Sequence, residues 1–244
     1  MRASTLNLMH PFQSFILGQK IFPLKVAAKY GIPLIFYGDN TAERGNPISE
    51  NSTSIRKKYY HSIDNLNKIY LGGINYKDLI NKHKIDPKLL EPFVPIHIDK
   101  LDEINLEVRH LSYYLKWIPQ ETYYYAVKNC GFKPRPFRTD GTYTKYAGID
   151  DKVECVNFYT IYVKFGIGRA MLDSAYEIRH GHTTKEEGKA LIRKFDGEYP
   201  IKYENDFYEY ISMKKEEFIE LCDKFRPDHI WEKKSNRWVL KTPL

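Results

Sequence analysis

The sequence predicts an α/β fold in its first half, followed by a mainly helical second half. A short apolar run at residues 32–37 follows a helical segment and Gly31, and it stops at a polar loop, an order typical of sheets with parallel strands. From Pro119 onward, segments of helical spacing follow one another between Gly and Pro residues. We therefore predict one α/β domain at 1–117, with a long loop excursion, and a helical substrate- or partner-binding region at 118–244 packed with it as one unit.

The elements of the first half follow from spacing and turn signals. A helix is under way at the start of the chain, and Pro23 is expected to interrupt it. Residues 32–37 are expected to form a fully buried parallel strand, with a polar excursion after it on the active-site side of the sheet. Residues 76–84 and 87–93 have short helical patterns, and residues 107–115 have the pattern of a second strand.

The second half contains clearer boundary signals. Residues 119–130 begin with Pro and end before Gly131, as helices commonly do. Thr184 and Glu187 have capping-box spacing before a helical run, and Ser212 is a candidate cap for the next one. The segment IWEKKSNRWVLK has the pattern of a terminal hairpin.

Composition excludes several classes of protein. The net charge of +7 comes from scattered cations interleaved with acids, which indicates mild attraction for anions rather than nucleic-acid binding. The three cysteines are far apart and without His at metal-ligand spacing, so a reducing cytoplasm is expected. No signal-peptide pattern and no apolar run of about eighteen residues is present, so no membrane segment is expected.

The first candidate site is the loop that follows the predicted strand. Gly38 permits close backbone approach, and Asp39, Asn40 and Glu43 offer oxygen atoms to a metal, a ribose or an amine. The loop would lie at the carboxyl edge of a parallel sheet, where ligands bind. An Asx-rich turn that satisfies its own backbone is an equally good interpretation.

The second candidate is the loop at residues 137–146. Arg138, Lys145 and the neighbouring hydroxyl groups can hold a phosphate or sugar hydroxyls. Taken alone, a solvated basic loop is the better interpretation.

The third candidate covers residues 164–182. Gly166 and Gly168 precede a helix N-terminus, which is a natural anion site. Arg169 and Asp173 are four residues apart and share a helix face that Tyr176 and His180 continue, whereas the stripe of Leu172, Ala175 and Ile178 would face the core. A surface ion pair, and helix-end roles for His180 and His182, are the alternatives.

Several enzyme classes lack their sequence signatures here. The chain contains no G-x-x-x-x-G-K-[ST], G-x-S-x-G or H-E-x-x-H motif. None of its cysteines has the context of a glutaminase nucleophile, so we expect ammonia to come from another protein.

Four long segments, in order, resemble the N-acetyl sugar amidotransferases of the PP-loop ATP pyrophosphatase superfamily: HPFQSFILGQK, IPLIFYGDNTAERGN, YYLKWIPQETYYYAVKNCGFKPRPFRTDGTYTKY and FGIGRAMLDSAYEIRHGHTTKEEG. The resemblance runs from Leu8 to the WEKK segment. It implies a partial PP-loop (adenine nucleotide alpha hydrolase-like) parallel sheet followed by the helical part. It also implies ATP-dependent conversion of an acetamido to an acetamidino group on a nucleotide-linked N-acetyl sugar, in bacterial lipopolysaccharide, O-antigen or other surface glycan biosynthesis.

The cofactors and partners follow from the same resemblance. It implies ATP and Mg²⁺ as cofactors, a nucleotide-linked N-acetyl sugar as substrate, and glutaminase and synthase-type proteins that supply ammonia. No nucleic-acid or membrane partner is expected, and no metal ligand is assigned. The resemblance implies catalytic roles for Asp39, Asn40, Glu43, Lys164 and Arg169. It implies substrate or nucleotide binding by Gln19, Lys20, Gly38, Arg138, Thr139, Lys145, Gly168, Asp173 and Arg179.

The chain departs from the family at one motif. The S-G-G-x-D-S phosphate loop is absent, and the Gly72-Gly73 pair has neither its serine nor its acid. We therefore expect a truncated, split or mis-started gene product that releases no AMP above background when supplied with ATP, Mg²⁺, ammonia and sugar nucleotide. A non-catalytic remnant that binds the sugar nucleotide or the ammonia-supplying partner is the alternative, and a tRNA-modifying PP-loop enzyme is a further one. We also expect the three candidate segments to meet at one cleft.

Overall fold

The computed structural model describes residues 1–38 and 52–244. Contacts divide the chain into two compact units. One, Gln13–Trp117, is called the sheet unit here; the other, formed by Met1–Phe12 and Ile118–Leu244, is called the helical unit. The loop residues Asp39, Asn40 and Glu43 lie outside the described residues. None of the helices in the described ranges is long and apolar enough to cross a membrane.

The sheet unit contains short strands and helices around one long helix. Its helices are α2 (Gln13–Tyr30), α3 (Tyr76–Asn81), α4 (Pro87–Leu90) and α5 (Ile98–Glu103). Its strands are β1 (Leu34–Tyr37), β2 (Ser62–Ile63), β3 (Tyr70–Leu71), β4 (Ile74–Asn75), β5 (Ile96–His97) and β6 (Glu107–His110). β1 pairs in parallel with β6, β2 in parallel with β5, and β3 antiparallel with β4.

The predicted parallel strand is present, but the prediction that it is fully buried is wrong. Leu34 and Phe36 are 41% and 47% exposed, whereas Ile35 and Tyr37 pack against a cluster that includes Leu24 of α2. Successive side chains of a strand point to opposite faces of the sheet. Only the face with Ile35 and Tyr37 is covered by this cluster, so an apolar run in the sequence did not mean burial on both sides.

Two further boundaries in the sheet unit differ from the predictions. Pro23 does not interrupt the first helix, because α2 continues through it to Tyr30. A proline inside a helix costs about 3 kcal/mol, and the burial of Leu24 and Ala27 on the same helix opposes that cost. The second strand ends at His110 rather than at residue 115, since its partner β1 ends at Tyr37, which is paired with His110.

The helical unit contains seven helices among its described residues, followed by a hairpin. The helices are α1 (Arg2–Leu8), α6 (Pro119–Cys130), α7 (Glu154–Phe165), α8 (Arg169–Arg179), α9 (Lys185–Phe195), α10 (Glu204–Ile211) and α11 (Lys215–Phe225). The hairpin pairs β7 (Trp231–Lys234) with β8 (Arg237–Leu240). Its turn residues Ser235 and Asn236 both have positive φ, as a two-residue type I′ turn requires, so the predicted hairpin is confirmed.

The core of the helical unit joins helices that are distant in sequence. Met9, Val163, Phe207, Phe218 and Cys222 are at most 1% exposed and belong to one cluster. Met9 follows α1, so the first residues of the chain contribute to the same core as α7, α10 and α11.

Two predictions within this unit are wrong. Ser212 does not begin the helix that contains Phe218; it ends α10 with φ 52°, and α11 starts after Lys214. The predicted core stripe of α8 is wrong at Ala175, which is exposed, whereas Ser174 is fully buried. Ile178 of that stripe does pack closely against helix α9, where a Cβ at Gly188 would lie 2.6 Å from Ile178 Cδ1.

The start of α9 provides a direct test of local helix stabilisation. Thr184 Oγ1 accepts a hydrogen bond from Glu187 N at 3.2 Å, and Glu187 Oε2 accepts one from Thr184 N at 2.8 Å, so the predicted capping box is confirmed. We expect Thr184→Ala to lower the unfolding free energy by about 1 kcal/mol in urea denaturation. Thr183→Ala is the matched control, because the Thr183 hydroxyl donates to the Glu187 carboxylate at 3.2 Å, whereas Thr184 Oγ1 accepts the bond from the backbone N–H of the helix. Equal losses in the two variants would contradict the assignment of the cap.

Candidate functional site

A shallow, solvent-open recess lies beside the second half of α8. Its lining is polar and aromatic, with apolar residues at one edge. The lining residues are Ile118, Pro119, Gln120, Tyr146, Asp173, Tyr176, Glu177, His180 and His182. The enclosed space is about 10 Å³, which is enough for about one water molecule. A larger ligand would therefore lie mainly across the opening of the recess.

One wall of the recess is a single face of α8. Asp173, Tyr176, Glu177 and His180 recur at spacings of three and four residues, which brings their side chains to the same side of the helix. The continuation of the Asp173 face through Tyr176 and His180 was predicted from the sequence. Glu177 belongs to the same face but was not among the predicted site residues.

The opposite wall comes from the first turn of α6 and the loop before α7. Tyr146 donates a hydrogen bond from its hydroxyl to Gln120 Oε1 at 3.0 Å. Its ring stacks on Tyr123, with 4.7 Å between centroids. Burial raises the pKa of Tyr146, so the hydroxyl remains a neutral donor. These contacts fix an aromatic ring and an amide beside the acidic wall.

The surroundings of Glu177 in the recess change its protonation. Burial raises its pKa, although the Tyr143 hydroxyl opposes this by donating a hydrogen bond to the carboxylate. Asp173 contributes to the increase through charge repulsion. Glu177 therefore binds a proton more readily than an exposed glutamate and can act as a donor or an acceptor towards a ligand.

Asp173 belongs to a network behind the recess. Arg169 donates from Nε to Asp173 Oδ1 at 2.9 Å and from Nη1 to Glu154 Oε1 at 3.1 Å. Thr142 donates to Asp173 Oδ2 at 2.6 Å. Burial lowers the pKa of the Arg169 guanidinium. The two carboxylates together have a larger, opposite effect, so the pKa is raised. Burial raises the pKa of Glu154, whose Oε2 has no hydrogen-bond partner.

The side chains of the predicted phosphate-binding loop, residues 137–146, bind other groups of the protein. Both terminal nitrogens of Arg138 donate to Glu198, which also accepts a hydrogen bond from Gly141 N at 2.9 Å. Hydrogen bonding to Arg138 lowers the pKa of Glu198, as expected for a stable ion pair. Thr139 is buried and donates to Ala147 O at 2.8 Å, and Lys145 is exposed. The charge of Arg138 is thus already compensated.

The predicted anion site at the start of α8 is occupied by a carboxylate of the chain. Asp196 accepts hydrogen bonds from Gly168 N at 2.8 Å and Met171 N at 3.2 Å. The close approach requires glycine, since a Cβ at Gly168 would lie 2.5 Å from Asp196 Oδ1. The sequence therefore identified an anion-binding helix end correctly but did not identify the anion.

Two of the three predicted segments meet. Ala170 N donates to Gly141 O at 3.0 Å, and the Thr142–Asp173 hydrogen bond joins the same loop and helix. For the third segment, Gly38 is exposed in the sheet unit and the following residues, 39–51, are outside the described part of the chain.

The remaining predicted residues have varied surroundings. In the sheet unit, Gln19 O accepts a hydrogen bond from Tyr37 at 2.7 Å, and Lys20 lies beside it on α2. In the helical unit, Lys164 Nζ donates to Leu8 O at 3.2 Å. The exposed Arg179 guanidinium lies 4.9 Å from the centre of the Tyr176 ring. Of the site residues predicted from the resemblance, Asp173 lines the recess.

Gln120, Tyr146 and Glu177 were missed by sequence reasoning. Glu177 could have been predicted from the sequence, because it follows Asp173 by four residues on a predicted helix. Gln120 and Tyr146 are 26 residues apart and meet only in the folded unit, so no spacing rule could have paired them. In residues 1–38 and 52–244, no group of three or more His, Cys, Asp or Glu side chains is arranged to hold a metal ion.

Comparison with protein families gives a match to the second half of the chain. Residues 140–243, less than half of the chain, match the family described as LPS biosynthesis protein WbpG-like, C-terminal domain. The matched range contains the α8 wall of the recess. A search of curated proteins found no match.

Proposed function

We propose that this chain binds a nucleotide-linked N-acetyl sugar and takes part in its conversion to an acetamidino sugar in lipopolysaccharide biosynthesis. The observation that carries the proposal is the similarity of residues 140–243 to the C-terminal domain of WbpG-like LPS biosynthesis proteins, which supports a role in this pathway. The amidotransferase reaction itself comes from the resemblance described above.

The side chains around the recess supply chemistry suited to the substituents of a sugar that lies across its opening. Asp173 and Glu177 accept hydrogen bonds from hydroxyl groups, and the aromatic rings offer apolar faces to ring C–H groups. A protonated Glu177 can donate to the oxygen of an acetamido group. The acidic wall disfavours a phosphate inside the recess, so the nucleotide diphosphate would remain outside it.

The helical unit fits the sugar better than it fits ATP. Arg138, expected above to bind substrate or nucleotide, and Arg169, expected above to be catalytic, are paired with carboxylates, and the α8 N-terminus is capped by Asp196. An added triphosphate would have to displace these internal anions. No role in this unit is therefore assigned to ATP or Mg²⁺. Both cofactors belong to the proposal only because of the resemblance.

The same pairing favours a second candidate function. If the cations of the helical unit serve its structure, the chain can bind the sugar nucleotide, or an ammonia-supplying partner, without carrying out catalysis itself. Product formation separates the two alternatives: the amidotransferase makes an acetamidino sugar detectable by mass spectrometry, whereas a binding protein shows affinity alone.

The proposal is tested by calorimetric titration of the full chain with UDP-N-acetylglucosamine and with UDP-glucose. We expect the N-acetylated ligand to bind more tightly and Glu177→Ala to weaken its binding about tenfold, because one or two hydrogen bonds to a carboxyl group are lost. Glu209→Ala, which removes an exposed carboxylate on α10, should leave the affinity unchanged. Equal affinities for the two ligands, or no difference between the two variants, would reject the recess as the sugar site.

A further inference from the structure

The carboxylate of Glu177 lies in the recess of the helical unit without an arginine or a lysine beside it. Among the described residues that line the recess, the acidic ones are Asp173 and Glu177, and none is Lys or Arg. Glu177 accepts a hydrogen bond from the neutral hydroxyl of Tyr143, which offsets no charge. A protonated His182 would attract Glu177, but its Nε2 also lies 3.5 Å from Glu121 Oε1. The negative charge of Glu177 is therefore poorly balanced within the recess.

The side chains behind the recess also carry excess negative charge. Arg169 pairs with Glu154 at 3.1 Å and with Asp173 at 2.9 Å, so that two carboxylates share one positive charge. Thr142 donates to Asp173 without adding charge. Burial raises the pKa of Glu177, and repulsion from Asp173 raises it further. A cation at the opening of the recess would relieve that repulsion.

The aromatic side of the recess suits a flat cation. The Tyr146 ring lines the recess and stacks on Tyr123, with 4.7 Å between centroids, which fixes its orientation. Burial raises the pKa of Tyr146, and charge repulsion from Asp173 and Glu177 raises it further, as expected in a negative potential. The face of a neutral phenol ring attracts cations. Because the enclosed space holds about one water molecule, it can admit one amino group of such a cation and leave the remainder at the opening.

We propose that Glu177 and Asp173 bind an amidinium group at the opening of the recess. The preference for a cation follows from the charges of the recess, whereas the identity of the cation rests on the proposed function, whose product is an acetamidino sugar. Replacing the carbonyl oxygen of an acetamido group by nitrogen turns a hydrogen-bond acceptor into a donor and adds a positive charge. Carboxylates accept hydrogen bonds and attract that charge, so the recess holds the acetamidino form more tightly than the acetamido form.

Acetamidine and acetamide test this preference on the full chain, because they have the same shape and differ in charge at neutral pH. Binding is followed by the imidazole resonance of His180, which lines the recess and is identified by its loss in His180→Gln. We expect acetamidinium to bind at least about fivefold more tightly than acetamide. Tetramethylammonium, a cation without N–H donors, is expected to bind less tightly than acetamidinium. No shift with acetamidinium, or an affinity equal to that of either other probe, would overturn the proposal.

Glu177→Gln is the matched variant, since it removes the charge and keeps the size of the side chain. We expect it to weaken acetamidinium binding about fivefold and to leave acetamide binding within about twofold. Glu209→Gln removes an exposed charge on α10 and should leave both affinities unchanged. A loss in Glu209→Gln equal to that in Glu177→Gln would indicate a general effect of net charge and would reject the site.

The result for the proposed function is obtained separately. If UDP-N-acetylglucosamine binds while acetamidine and acetamide bind equally, the proposed function stands and the amidinium site is rejected. If acetamidinium is preferred and the sugar nucleotide does not bind, the amidinium site is supported and the proposed function is rejected. The comparison of acetamidine with acetamide uses the wild-type protein, so it remains decisive even if Glu177→Gln fails to fold.

Discussion

Replacing Arg169 by Ala is expected to lower the unfolding free energy of the helical unit by about 3 kcal/mol. Arg169 lies between Glu154 and Asp173, and the three side chains are only 21%, 21% and 14% exposed. Removal of the shared cation would leave two carboxylates close together with little solvent, and Glu154 Oε2 already lacks a partner. Removing one partner of a buried ion pair lowers stability by more than the net free energy that the pair contributes, because the remaining charge stays buried without a partner.

Urea denaturation followed by circular dichroism measures this loss. Arg179→Ala is the matched control, because Arg179 is an exposed arginine on the same helix whose guanidinium contacts Tyr176. The control should cost less than about 1 kcal/mol. A loss in Arg169→Ala no greater than in the control would mean that the network around Asp173 does not hold α8 in place.

The protein is expected to lose up to about 3 kcal/mol of stability through His61 as the pH falls from 6.5 to 4. The pKa of His61 is about 4 in the folded state, against 6.5 for an ordinary histidine. In this window the unfolded chain binds the proton and the folded chain does not, so the unfolding free energy rises with pH. The contribution is complete above pH 6.5 and is lost as the pH approaches 4.

This pH dependence is measured as the difference in unfolding free energy between the wild-type protein and His61→Asn at pH 7, 5.5 and 4.5. The difference should shrink or reverse on acidification, because Asn does not titrate. His83→Asn, which removes an exposed imidazole from the same unit, should keep the wild-type profile. A His61→Asn profile parallel to that of the wild type would show that His61 is accessible to protons in the folded state.

Features that depend on neighbouring residues were predictable. The capping box at Thr184, the end of α6 before Gly131 and the turn at Ser235 and Asn236 all require only local backbone and side-chain chemistry. Ser212 is the informative exception. A serine favours helix starts in general, but here the chain needs a left-handed residue to end α10.

Features that depend on distant residues were not predictable from spacing. Arg138 was expected to bind substrate or nucleotide, yet its charge is paired with that of Glu198, sixty residues later. Similarly, the carboxylate at the Gly168 helix end comes from Asp196. In both cases the sequence indicated a site for a negative charge, and only folding decided that the charge belongs to the chain.

The sequence by itself determined that a parallel strand in the first half precedes a mainly helical second half, the bounds of α6, and the helix face that carries Asp173 and Tyr176, but it did not predict α5 or α10. Those properties follow from side-chain periodicity and end signals, which act within a few residues. The tertiary structure alone decided which side of β1 is covered, which residues oppose that helix face across the recess, and that His61 is buried. Burial and electrostatic environment depend on which elements pack together, and no local pattern encodes the identity of the neighbour.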